Sequence, residues 1–120
     1  MQRTDTIAAV ATAPGRAGIG VVRISGPGVH RITVGIRGRH LEPRTATLCD
    51  FGDARGQALD RGIALFFPSP HSYTGEDVLE LQGHGGPAVL RLLPRRRLEL
   101  RARAADPRAL TRRAFPTDTL

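Results

Sequence analysis

A chain of 120 residues is long enough for one domain with one core, and a hydrophobic content of 40% is compatible with a globular fold. No apolar run approaches the ~18 residues of a membrane-crossing helix. The single cysteine, Cys49, excludes an internal disulfide and a cysteine-based zinc site and makes the cytoplasm the default compartment.

The first expected element is a buried strand, TIAAVAT (6–12), read as structure rather than as a secretory signal. A glycine-rich loop, APGRAGIG (13–20), leads to a second strand, VVRIS (21–25), closed by GPG. Apolar residues at Val29, Ile32 and Ile36 give a weak helical period over 29–37. ATLCDF (46–51) and LDRGIALFF (59–67) read as a hairpin around the turn GDARGQ. PSPHSYTG is a loop, and DVLELQ (77–82) alternates as a strand should. GHGGP then turns the chain into a helix over 88–93 that Pro94 cuts short. LELRARA (98–104) is a last strand, and DPRALTRRAF (106–115) a short helix with Asp106 as N-cap and Pro107 at its first position. The expectation is an α+β domain on a mostly antiparallel sheet with a few short helices.

The net charge of +7 is unevenly spread, and all of its eighteen basic residues are arginine. Residues 1–90 hold nine arginines and eight acids, whereas residues 91–120 hold nine arginines and three acids. The basic tail is either a solvated face or a surface for RNA or another acidic partner. No aromatic residues interleave with its arginines, which gives base stacking there no support.

Within DVLELQ, Leu79 and Leu81 face the core, and Val78, Glu80 and Gln82 face the other way. Glu80 is then a solvent-facing acid, the partner of an internal arginine, or a carboxylate able to accept two parallel N–H bonds from a flat donor. Arg23 interrupts an otherwise apolar strand: it is either an outward-facing residue on a half-exposed strand or a charge that needs a partner, for which Glu80 or an acidic ligand would serve. The glycines around His84 either make a tight turn or bring backbone close to a ligand. APGRAGIG lacks the Gly-Lys-Ser/Thr ending of a phosphate loop, and no catalytic triad elbow or metal-ligand spacing is present.

The segments TIAAVATAPGRAGIGVVRISG, LDRGIALFFPSPHSYTGEDVLELQGHGGP and TRRAF resemble the N-terminal domains of the MnmE (TrmE) family of tRNA modification GTPases. The likeness spans residues 1–120, strong over 5–92 and degraded over 93–120. It implies an α+β domain similar to the folate-binding modules of aminomethyltransferases. It also implies binding of 5-formyltetrahydrofolate and homodimerisation with the folate near the interface. In complete members a helical domain and an inserted GTPase domain act with MnmG on the wobble uridine of tRNA. Neither domain lies within these 120 residues, so the chain is not expected to catalyse alone or to carry a metal or nucleotide site.

By the same resemblance, the positions matching folate contacts are Arg23, Glu80 and Thr119. Thr119 stands where the family has a lysine, and a hydroxyl cannot supply that charge. Pro94 falls where the family has a continuous helix, at a cost of about 3 kcal/mol if the helix persists. The alternatives are a basic RNA- or protein-binding module, contacting RNA through residues 91–113, and a non-functional remnant that has lost folate.

Overall fold

The computed structural model describes residues 5–12, 20–37, 40–52, 58–83, 102–104 and 107–115. These form strands β1 (Thr6–Thr12), β2 (Gly20–Ser25), β3 (Thr47–Gly52), β4 (Ala58–Phe67), β5 (Val78–Gly83) and β6 (Ala102–Ala104). Helix α1 (Val29–Arg37) follows β2, and helix α2 (Pro107–Ala114) follows β6. The expected loop 13–19, turn 53–57, turn and helix within 84–94, the start of the last strand and the Asp106 cap lie outside the described residues.

The strands join in one sheet of order β3-β4-β5-β2-β1-β6. Every pairing from β3 to β1 is antiparallel, and β6 alone runs parallel, beside β1. The fold is therefore α+β on a mostly antiparallel sheet, as the alternation of the strands implied. Both elements of the expected hairpin pair as β3 and β4.

Period-2 patterning sorts the side chains onto two faces. On the first, Ala8, Val22, Ile24, Leu79, Leu81, Ala64 and Phe66 meet Val29 and Ile32 of α1, together with Leu41 and Phe51. Phe51, Ile24, Ile32, Leu79, Val22 and Val29 are fully buried, each worth about 1.5–3 kcal/mol of transfer from water. On the second face a smaller cluster joins Ile7 and Ala9 of β1 to Leu110 of α2. The two helices thus cover opposite faces, and α2 covers only the β1 side.

The start of α1 is tied to β1. The Gly28 amide donates to the Thr6 hydroxyl at 2.7 Å, a buried bond that satisfies one of the helix's first free N–H groups. Gly26 has φ +139°, which suits glycine, and a Cβ there would lie 2.6 Å from the Thr6 Cα. Thr33 closes its own turn, its buried hydroxyl donating to the Val29 carbonyl at 2.8 Å.

Gly62 marks a close approach of backbone to backbone within the sheet. It sits opposite Gly83, and a Cβ on it would come 1.9 Å from the Gln82 carbonyl oxygen, which is rigid backbone. Gly62→Ala is therefore expected to destabilise the domain by about 1–3 kcal/mol in chemical denaturation.

Candidate functional site

The second face carries the polar chemistry. Strand β2 buries Val22 and Ile24 on the first face, which sends Arg23 to the second. The β2–β5 register places Arg23 opposite Glu80, and the same transverse row continues to Ala9 on β1 and Leu65 on β4. Residues directly opposite across antiparallel strands share a face and lie in contact range. Arg23 Nε accordingly donates to Glu80 Oε2 at 3.2 Å, with side chains 33% and 15% exposed. The Gln82 amide, two residues along on the same face, donates to Glu80 Oε1 at 3.5 Å.

The structure thus brings Arg23, Glu80 and Gln82 together and identifies Glu80 as the partner that Arg23 calls for. Neither Glu80 oxygen is saturated by these long contacts, because an ionised carboxylate has about four acceptor sites. Among the described residues the Nη groups of Arg23 make no hydrogen bond, so they too keep donor capacity. Thr119 and His84 lie outside the described residues.

Sequence reading missed the groups that wall the pair. The loop between β4 and β5 folds back over β2. The Gly26 amide donates to the Asp77 carbonyl at 3.1 Å. The Ser69 amide donates to Asp77 Oδ1, the Ser69 hydroxyl to the Gly75 carbonyl, each at 2.8 Å, and the Ser72 hydroxyl to the Glu76 carbonyl. Gly75, at φ +82°, takes the left-handed turn this path needs. The loop sets Tyr73 against Arg23, whose Cζ lies 5.4 Å from the ring centroid. On its other side Tyr73 meets helix α2. Its hydroxyl donates to Thr111 Oγ1 at 3.4 Å, and its ring packs edge-on to Phe115 at 6.2 Å between centroids.

Beneath the loop lies a polar knot. The Ser25 hydroxyl is hydrogen-bonded to Thr74 Oγ1 at 2.7 Å and donates to Glu76 Oε1 at 2.9 Å. Arg113 of α2 reaches the same point. Its Nη1 donates to Glu76 Oε1 at 3.0 Å and to the carbonyls of Asp5 and Ser25 at 2.9 and 3.4 Å. Its Nη2 donates to Asp5 Oδ1 at 2.5 Å, and its side chain is only 10% exposed. Sequence reading counts Arg113 as one more charge of the basic tail. Of that tail, Arg108 and Arg112 are exposed as a solvated or binding face requires, but Arg113 is structural.

This arrangement presents an acceptor pair, a partly engaged guanidinium and an aromatic ring in a row on one face. It suits a flat ring with donors along one edge. Among the described residues no group of three His, Cys, Asp or Glu side chains could hold a metal ion. The cavity lined by Thr33, Leu41, Cys49, Phe51, Ala64, Leu79 and Leu81 lies on the opposite face and has no room for a water molecule.

Comparison with known proteins adds to this geometry. The family model described as GTP-binding protein TrmE N-terminus matches residues 6–119. The chain belongs to the TrmE N-terminal family. It is similar to the tRNA modification GTPase MnmE of Ralstonia nicotianae, with 61% identity over 98% of this chain and 26% of that protein. The MnmE of Thiobacillus denitrificans is 63% identical over 94% of this chain and 25% of its own length. That of Nitrosomonas europaea is 59% identical over the whole of this chain and 27% of its own length. The chain thus spans about a quarter of the curated relatives it matches. As a TrmE N-terminal domain, its described residues include no helix long and apolar enough to cross a membrane.

A double-mutant cycle measures the pair itself. Arg23→Gln, Glu80→Gln and the double variant are expected to give a coupling of about 0.5–1 kcal/mol by urea denaturation, the range of a partly exposed ion pair. A coupling near zero would mean that the two side chains do not meet in solution.

Proposed function

We propose that this domain binds 5-formyltetrahydrofolate or a related reduced folate on the second face of the sheet, in support of tRNA wobble-uridine modification by the complete protein. The observation that carries the reading is the Arg23–Glu80 pair, half-sheltered and in register on adjacent strands. A folate's pterin has a planar edge of N–H donors, which a carboxylate can read with two parallel bonds. Arg23 would take an acceptor such as a carbonyl or carboxylate through its Nη groups, and Tyr73 offers a ring for stacking. The reduced folate itself would supply the one-carbon unit.

The described residues fit such a ligand, on a face whose described side chains are exposed towards β4 and β3. Towards β4 and β3 the same face leaves Ile63 and Leu48 exposed, at 37% and 62%. A second copy of the chain placed there would shelter both the apolar residues and the ligand, which is why we propose a homodimer. Cytoplasmic residence, and action with MnmG and tRNA, belong to the same proposal. The exposed Arg108 and Arg112 favour a second reading, a basic surface that contacts RNA directly.

Thermal melts with and without the ligand test the reading. A ligand that binds only the folded state, at ~100 times its dissociation constant, adds about 2.7 kcal/mol and raises the midpoint by several degrees. Glu80→Ala is expected to abolish the shift. For a dimer, the midpoint of the unliganded protein should also rise with protein concentration. A cooperative melt that ignores the folate, beside salt-sensitive binding of tRNA, would replace the folate reading with the RNA reading.

A further inference from the structure

The side chain that controls the Arg23–Glu80 site sits outside it. Tyr73 is 45% exposed, and its loop has little apolar anchorage of its own. A cation–π contact at an exposed site is worth about 0.5–1 kcal/mol, and the 3.4 Å bond to Thr111 is long. These contacts alone would hold the ring weakly. Three residues beyond Tyr73, however, the Glu76 carboxylate is bonded to Arg113 and Ser25 and its side chain is 17% exposed. Helix α2, which presents Thr111 and Phe115 to Tyr73, is itself held to the sheet through Leu110 and Arg113.

One guanidinium therefore joins the start of β1, the end of β2, the loop and α2. We propose that Arg113, acting through Glu76, is a positioning residue for the Arg23–Glu80 site: it locks the loop and α2 together so that Tyr73 closes over Arg23 and forms the aromatic wall of the ligand site. The role needs arginine. A planar fork can serve the Asp5 and Ser25 carbonyls and the two carboxylates at once, whereas an ammonium is a compact point charge with three donors. The part of the proposal that concerns ligand affinity rests on the folate reading above; the placement of Tyr73 does not.

The chain contains a built-in probe. Tyr73 is its only tyrosine and it has no tryptophan, so its intrinsic fluorescence reports this one ring. The experiment compares the parent with Arg113→Lys and Glu76→Gln, and with Arg112→Lys, at an exposed position, as control. Acrylamide quenching of Tyr73 and the Kd for 5-formyltetrahydrofolate are read in each, with a melt to confirm cooperative folding. The two test variants are expected to raise the quenching constant at least twofold and the Kd about tenfold, and Arg112→Lys to change neither. Should Arg113→Lys fail to fold, Glu76→Gln, which keeps the loop's backbone bonds, decides the matter.

Folded test variants that leave the quenching of Tyr73 unchanged would overturn the proposal. So would raised quenching with an unaltered Kd, because the loop would then move without consequence for the site. If the parent itself binds no folate, the folate reading falls, and the quenching comparison still decides whether Arg113 places Tyr73.

Discussion

Everything on the second face depends on the register of β2 against β5. With Val22 opposite Leu81 and Ile24 opposite Leu79, four apolar side chains enter the main core together. The same alignment puts Arg23 opposite Glu80. A slip of one residue would turn the apolar set outward and drive the guanidinium or the carboxylate into the core, at a cost of several kcal/mol. Core packing therefore specifies the geometry of the polar pair. The pair adds little stability and need not, since the core holds its backbone in place.

The rest of the site is assembled by polar contacts rather than by packing. Leu110 supplies α2 with a small apolar anchor on Ile7 and Ala9, and the loop after β4 has Thr74 buried beneath it. What joins these segments is a knot of Ser25, Glu76, Asp5 and Arg113. Burying an arginine is costly unless its donors are paired, and here backbone carbonyls and two carboxylates pair them. Segments held in this way can be tuned without disturbing the core, which suits the wall of the proposed ligand site. The two faces differ accordingly: the first holds the main apolar core, and the second carries the polar groups on which the proposed site is built.

Much of this was legible in the sequence, because period-2 alternation is a strong signal. TIAAVAT, VVRIS and DVLELQ each become strands within a residue or so of the expected bounds, and DVLELQ sends Glu80 and Gln82 to one face as its alternation requires. Even the weak helical period of 29–37 becomes α1, because Val29 and Ile32 find the sheet beneath them. Arg23 stood out as a charge in an apolar strand, and it needed only a register to find its partner. The Arg113 knot was not legible. Its members lie up to 108 residues apart, and Arg113 sits among arginines that look alike in a charge count. Tyr73 was hidden similarly, in a loop whose path depends on hydrogen bonds to distant backbone.

The central claim is that Arg23 and Glu80 face the ligand together, and the most direct test is the NMR signal of the Arg23 Nε–H group. Assigned by its loss in Arg23→Lys, that signal would be followed during titration with 5-formyltetrahydrofolate. The account predicts a saturable shift at the concentration where the ligand stabilises the fold, and no shift in Glu80→Ala. A ligand that binds while the Arg23 signal stays unmoved would place the site elsewhere and contradict the account.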